Sequence, residues 1–292
     1  MTSLEQTRRE HRGARRRAIL DPHTAAERFR LTTEPPPEDL ARFLDGYWIL
    51  HWNLTEPHHQ QVLTHPMVHL TFVTGGEAQI TGIVSNTFTR EISGTGRALG
   101  LRFRPGGFRP FLNSPVSTLT DRVIDVEDLF GETARTAANT VITEPDVPTA
   151  LELAATFLRT FAPDPAATAP SVYRDIEVAT TLVDTITTDP SLLRVSQLAT
   201  LADMSTRQLQ RLFAEYVGIG PKWVIRRTRI QEAASRAATT PQDWSALATE
   251  LGYSDQAHFT RDFTGAVGVS PAQYASWARR GEREDGSCQN RP

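Results

Sequence analysis

Residues 198–221 read LATLADMSTRQLQRLFAEYVGIGP, and residues 247–271 read LATELGYSDQAHFTRDFTGAVGVSP. The two stretches repeat. Leu198 and Ala199 match Leu247 and Ala248, and Ala202, Asp203, Met204 and Ser205 match Leu251, Gly252, Tyr253 and Ser254, all at an offset of 49. Leu209, Arg211, Phe213, Gly218 and Pro221 match Phe259, Arg261, Phe263, Gly268 and Pro271 at an offset of 50, so the second copy gains one residue at the start of its later helix. Each copy reads as a helix, a short turn and a second helix.

The chemistry inside each copy follows from that reading. The first helix buries Leu198, Ala199 and Ala202, or Leu247, Ala248 and Leu251, and the small alanine lets a second helix approach closely. The turn opens on a residue that needs left-handed backbone, which Gly252 adopts without strain and Asp203 at some cost. Ser205 then caps the next helix and forms an S-x-x-Q capping box with Gln208. Ser254 is expected to cap the matching helix without a reciprocal partner, because Ala257 stands three residues on. The second helix buries Leu209, Leu212 and Phe213, or Phe259 and Phe263. Its other face presents Arg207, Gln210 and Arg211, or Gln256, His258, Thr260 and Arg261.

That face suits duplex DNA. Arginine pairs bidentately with guanine and glutamine with adenine in the major groove. A serine and the backbone amides at a helix start serve phosphate oxygens. Between the copies, Pro221 to Thr240 has the period of one helix, with Trp223 and Ile230 expected in the core. Arg226, Arg227 and Arg229 are left for ion pairs or the DNA backbone. A rigid rod there would fix the two reading helices relative to each other, and successive major-groove segments on one face lie about 34 Å apart.

Charge supports the division. The formal net charge of −3 hides a basic segment at 190–280 (eleven Arg or Lys against seven acids) behind an acidic one at 31–170 (nine against sixteen). Residues 1–30 hold eight Arg against four acids and read as a basic disordered tail; residues 281–292 read as a second tail. A basic module behind an acidic one points to two domains, one of which meets a polyanion.

From about Tyr47 to Arg104 the pattern is β. Runs at Tyr47–Leu50, Val68–Val73, Ile83–Ile92 and Leu99–Arg104 are separated by Gly75-Gly76 and Gly94-Thr95-Gly96 and closed by Pro105-Gly106-Gly107. In the last run Leu99, Leu101 and Phe103 share one face, and Arg102 and Arg104 the other. Short strands at this spacing suggest a small barrel or sandwich. Beyond Pro105 the residues Phe108, Phe111 and Leu112 fall at helical spacing, as do Leu151, Ala154, Ala155 and Leu158 in a later helix; APDPAATA at 162–169 reads as a linker, and everything from Val172 is helical in period. The expected class is α+β: a β-rich domain at 31–162 with flanking helices, a linker and connecting helix at 163–189, and an all-α tandem unit at 190–280.

Other chemistries find less support. The 292 residues hold one cysteine, Cys288, which excludes a disulfide framework and CxxC zinc sites. No apolar run approaches a membrane span. Arg-rich Met1 to Leu20 meets Asp21-Pro22 where a signal peptide needs its apolar core, so a soluble, cytoplasmic protein is expected. His51, His58, His59, His65 and His69 cluster in sequence, but His58-His59 follow Pro57 in an expected loop and no His-x-His pair exists, so no metal site is assigned. Neither a P-loop nor a G-x-S-x-G elbow is present, and no catalytic residue or cofactor is assigned.

The region 190–280 resembles the AraC/XylS family of bacterial transcription regulators. The resemblance rests on Leu198-Ala199 through Ser205, Leu209-Gln210-Arg211-Leu212-Phe213, Gly218-x-x-Pro221, Arg229 with Ala233, Ala248-x-x-x-Gly252-Tyr253, Phe259-x-Arg261-x-Phe263 and Gly268-Val269-Ser270-Pro271-x-x-Tyr274. Asp203 departs from a usual glycine and Trp223 from a usual tyrosine. The resemblance implies base-reading roles for Arg207, Gln210 and Arg211, and for Gln256, Ala257, His258, Thr260 and Arg261, with Ala257 able to offer only a methyl group. More faintly, Tyr47-Trp48, the stretch from Val62 to Gly76 and Gly100 to Phe108 resemble the cupin-like sensor domains attached to such regulators, which bind a small effector, dimerise, or both. The expected function is an effector-responsive, sequence-specific DNA-binding regulator rather than an enzyme. Its partners would be double-stranded DNA and, as further candidates, a small-molecule effector, RNA polymerase and a second copy of the chain, with no membrane. The alternatives are a cupin-like metalloenzyme with a helical accessory domain, and a scaffold whose β domain only dimerises.

Overall fold

The computed structural model describes residues 27–164, 166 and 168–288. The tail expected at the amino terminus lies outside them as far as residue 26. The first strand, β1 (Phe29–Glu34), already occupies its last two positions. It is followed by β2 (Leu44–Val62), β3 (His69–Val73), β4 (Glu77–Thr81), β5 (Phe88–Phe103) and β6 (Val123–Asp125). Together they form one antiparallel sheet of order β1-β2-β5-β3-β4-β6.

Two strands are longer than the sequence pattern suggests. β5 runs unbroken through Gly94-Thr95-Gly96, where a turn was expected. Gly94 instead takes φ +59° and faces the irregularity between Leu54 and His58 of β2. A bulge needs one residue of unusual backbone, and glycine supplies it. His58 and His59 were expected in a loop. They lie within β2, just past that bulge, because Pro57 is tolerated where the ladder is already interrupted. β4 was not expected at all; its short run alternates too weakly to register.

Tyr47, Ile49, Leu70, Phe72, Leu99, Leu101 and Phe103 face one side of the sheet and are all buried. Helices cover that side: α1 (Val126–Phe130), α2 (Glu132–Thr143) and α3 (Val147–Phe161). Ala134, Ala138, Ala150, Ala154 and Ala155 let them approach, and Phe157 meets Phe72 edge-on with ring centroids 5.4 Å apart. The other side carries a second apolar cluster built around Trp52, Leu54, Ile92 and Ala98, with Trp48 and Leu50 packed on it. Trp48 stands opposite Gly100 and Trp52 opposite Gly96 in the ladder. A Cβ at Gly100 would lie 2.0 Å from the Trp48 indole and one at Gly96 2.3 Å from Trp52, so each indole lies on bare backbone. Arg102, on the face opposite Leu101 and Phe103, is buried, its Nε 2.6 Å from Asp45 Oδ2.

The helical part begins with α4 (Pro170–Thr188) and continues through α5 (Val195–Leu201), α6 (Thr206–Leu212), α7 (Pro221–Thr239), α8 (Trp244–Glu250), α9 (Gln256–Val267) and α10 (Pro271–Cys288). The backbone of α10 runs past Gly281, where a tail was expected. α4 and the first pair share one core, with Leu198, Leu209 and Phe213 at its centre. The second pair has its own core around Leu247, Phe259, Phe263 and Tyr274. α7 feeds both: Val224 and Ile225 enter the first, and Ile230, Ala233, Ala234 and Ala237 the second.

The sheet and the helices are not merely tethered. Leu63, from the end of β2, is fully buried in the second helical core. Gly106, at φ +87°, brings the chain after β5 against Ile176, Ala179 and Tyr216. Arg104 grips Glu177 of α4 through two bonds of 3.1 and 3.2 Å.

His69 gives this fold a pH signature. Trp48 Nε1 donates to its Nδ1 at 3.0 Å. Burial, reinforced by the charge of Arg102, pushes the imidazole down to about 3. The folded value lies below the unfolded one, so the unfolded chain binds the extra proton. This contribution to stability is complete above about pH 6.5 and is lost progressively as pH falls towards 3. His69→Gln, which keeps an acceptor for Trp48, should retain about 2 kcal/mol that the parent loses between pH 7.5 and 5. Urea midpoints of both proteins at the two pH values measure it.

Candidate nucleic-acid interface

Each repeated unit folds as its sequence requires. After α5 the chain turns through Asp203 at φ +50°, and after α8 through Gly252 at φ +73°, the two positions expected to need left-handed backbone. In the first unit Ser205 caps α6: Gln208 N donates to Ser205 Oγ at 3.2 Å, and Ser205 N donates to Gln208 Oε1 at 2.9 Å. In the second unit the cap is not Ser254. Asp255 takes that role, its Oδ1 accepting from His258 N at 2.7 Å. The extra residue of the second copy therefore sits between the turn and the cap, and Ser254 Oγ supports Asp255 at 3.1 Å. These bonds hold the Asp255 carboxyl below the usual carboxylate range. The break in repeat offset from 49 to 50 was the signal that would have found this cap.

The proposed reading faces are open. Arg207, Gln210 and Arg211 of α6 are exposed, while Leu209 and Phe213 beneath them are fully buried. Gln256, Ala257, His258 and Arg261 of α9 are exposed and Thr260 is half-buried, over fully buried Phe259 and Phe263. His258 is held more closely than its neighbours. Its ring stands edge-on to Tyr253 with centroids 5.2 Å apart, and its Nδ1 lies 3.3 Å from Ser254 Oγ. α6 passes into a π-helical turn, Phe213–Val217, that ends at Gly218 with φ +93°; α9 ends at Gly268 with φ +87°.

The three arginines of the rod are all engaged within the protein. Arg226 Nε lies 2.8 Å from Asp262 Oδ2 of α9. Arg229 donates to the carbonyl of Leu193. Arg227, with 4% of its surface exposed, donates through Nη2 to the carbonyls of Ser85 and Asn86 at 2.9 and 2.8 Å. Its guanidinium lies 4.6 Å from the Trp223 ring, and Trp223 Nε1 donates to the same Ser85 carbonyl at 3.0 Å. Burial, with the charge of Arg226 beside it, lowers the Arg227 guanidinium to about 10. Trp223 was expected in the core; it is half-buried and polar at one end.

The sheet module also reaches the π-helical turn that follows α6 and the carboxyl-terminal end of α9. Thr120 donates to the carbonyl of Gly218 at 2.6 Å, and Thr87 to that of Ala266. Arg109 Nε pairs with Glu215 Oε1 at 2.6 Å. The two carbonyls lie near the ends of the two copies, Gly218 at the glycine that matches Gly268 and Ala266 two residues before that glycine, and no sequence pattern announces these contacts. Among the described residues no group of three or more His, Cys, Asp or Glu could hold a metal ion, and no helix is long and apolar enough to cross a membrane.

Residues 198–276 match the profile of a helix-turn-helix domain, and residues 32–125 that of a domain of unknown function (DUF6597). An uncharacterized HTH-type transcriptional regulator of Haemophilus influenzae is 36% identical over 80 residues, which make up 27% of this chain and 27% of that protein. The HTH-type transcriptional regulator MtrA of Neisseria gonorrhoeae is 31% identical over 80 residues, again 27% of each. The chain thus covers little more than a quarter of the length of the curated relatives it matches. ToxT from Vibrio cholerae O395 aligns over 86% of this chain and 98% of its own, with 9% identity and a TM-score of 0.39, too low to argue from.

The caps give a direct check. Ser205→Ala removes the side-chain half of the capping box, the bond that Ser205 Oγ accepts from Gln208 N, while the Ser205 N–H keeps its bond to Gln208 Oε1, and should lower stability by about 1 kcal/mol. Ser254→Ala leaves the Asp255 cap in place and should cost only a few tenths of that. Urea denaturation of the two variants beside the parent separates the cases.

Proposed function

With residues 198–276 an AraC-type helix-turn-helix domain, we propose that this chain is a sequence-specific, effector-responsive DNA-binding transcriptional regulator. The observation that carries the reading is the pair of solvent-facing polar surfaces on α6 and α9, each with an arginine at the matching position of the repeat, on helices whose opposite faces are packed into separate cores. Arg207, Gln210 and Arg211 read base edges in one major-groove segment. Gln256, Ala257, His258, Thr260 and Arg261 read the next, Ala257 through its methyl group alone. Ser205 and Ser254, beside the amino-terminal ends of the helices, serve phosphate oxygens. Such a protein works in the cytoplasm, on chromosomal DNA, with RNA polymerase and a second copy of itself as further partners.

The sheet module is the responsive part. Its seam with the helices touches α4, α7 and the far ends of both reading helices, and the 82–87 segment reaches both, through Ile83 against Gly218 and Thr87 on the Ala266 carbonyl, so a ligand or partner that shifts that segment acts on both readers at once. An open cleft of about 320 Å³, lined by Arg42, Tyr173, Ile176 and Glu177, lies along this seam. A module with such contacts supports regulation better than enzymatic action. Two-state coupling of this kind requires only that the ligand bind the two arrangements unequally.

Arg211→Ala or Arg261→Ala should each weaken binding to a site selected from random duplex DNA by about 1–3 kcal/mol and relax base preference at one position. Gel-shift titration at fixed salt measures this. Parent-like binding by both variants would contradict the assignment.

A further inference from the structure

We propose that Arg229 is a positioning residue for two-groove reading: it ties the turn of the second helix-turn-helix unit to the entry loop of the first and so sets the separation of α6 and α9. The inference rests on the DNA-reading function above.

Three contacts meet at this point. Arg229 leaves α7 midway between the two units and donates to the carbonyl of Leu193, in the loop that leads into α5. Its guanidinium also lies 5.7 Å from the centre of the Tyr253 ring, in the turn before α9. Leu193 in turn packs on Gly252: a Cβ at residue 252 would lie 2.8 Å from Leu193 Cδ1 and 3.2 Å from Cδ2. Gly252 thus satisfies two demands, left-handed backbone and a bare surface for Leu193. The two apolar cores are linked through α7, which feeds both, and the Arg229 contact ties the turn of the second unit to the entry loop of the first alongside that rod.

The brace acts at a different place from the sheet module. Thr120 and Thr87 hold the carboxyl-terminal ends of the reading helices, at Gly218 and Ala266. The proposed base-reading residues, 207–211 and 256–261, precede Gly218 and Ala266 in the chain. The Leu193–Arg229–Tyr253 contact holds the turn that launches α9, and Arg226 steadies the same helix through Asp262 at 2.8 Å. Lysine cannot replace Arg229 here, because it lacks the planar group that lies over the tyrosine ring while donating to a carbonyl. One base-pair step moves a groove by about 3.4 Å and turns it by about a tenth of a revolution, so small errors in separation become errors in phase.

The test uses the full chain and two readouts. The first needs no DNA: spin labels at Thr206→Cys and Ala257→Cys, in a Cys288→Ser background, report the distance between the two helix starts. The parent should give one narrow distance peak. Arg229→Gln should broaden it about twofold or shift it by several ångströms, with the melting temperature little changed. Leu193→Ala, at a partly exposed position, should give the same change and serves if Arg229→Gln fails to fold. An unchanged peak in the variant that folds overturns the proposal while leaving the DNA-reading function intact. The second readout is binding to the selected duplex and to versions with one base pair inserted or removed between the half-sites. The parent should lose about tenfold or more on either, and Arg229→Gln should show about threefold discrimination or less. Equal discrimination by parent and variant overturns the proposal. Failure of the parent to select any sequence overturns the DNA-reading function, and this inference with it.

Discussion

The structure depends on a buried cation, Arg227, that pairs with no carboxylate among the described residues. Arg227 sits inside the seam between sheet and helices and is held by two backbone carbonyls and the face of an indole. Its Nη1 has no hydrogen-bond partner among the described residues. A guanidinium taken out of water costs several kcal/mol unless its donors are met, so the carbonyls of Ser85 and Asn86 cannot move independently of α7. The connection between β4 and β5 is thereby fixed to the rod that joins the two units. Gln231 adds a second tie, donating to the Leu63 carbonyl at 3.0 Å.

From that seam the remaining geometry follows. α7 lends one set of side chains to the first helical core and another to the second, so the rod belongs to both units. The readers are then held at two ends: the sheet module at Gly218 and Ala266, and the contact between Leu193, Arg229 and Tyr253 near the launch of α9. What remains exposed on α6 and α9 is the polar face that each helix does not need for packing. Arginine at the matching position of both faces is the chemistry on which the proposed base reading rests.

Much of the helical half was legible in the sequence because its constraints are local. A repeat, a left-handed turn residue and a capping box each leave a signature within a few residues, and Asp203, Gly252 and Ser205 all behave as those signatures say. Ser254 misled because the inserted residue shifts the cap to Asp255, and two adjacent polar residues can each offer an oxygen. The sheet was harder. Gly94 to Gly96 looks like a turn, yet Gly96 is bare to seat Trp52 and Gly94 serves a bulge, so the strand continues. By sequence Arg227 is left for an ion pair or the DNA backbone, because nothing nearby in sequence tells of Ser85 and Asn86, more than a hundred residues away. Long-range burial of a charged residue leaves no periodic trace.

Guanine methylation interference on a duplex selected by the full chain tests the central claim most directly, since N7 lies in the major groove where Arg211 and Arg261 would bind. Two rigidly framed readers require two clusters of interfering guanines, centred about one helical turn apart on one face of the duplex. A single cluster, or two clusters on opposite faces, would contradict a frame that presents both helices together.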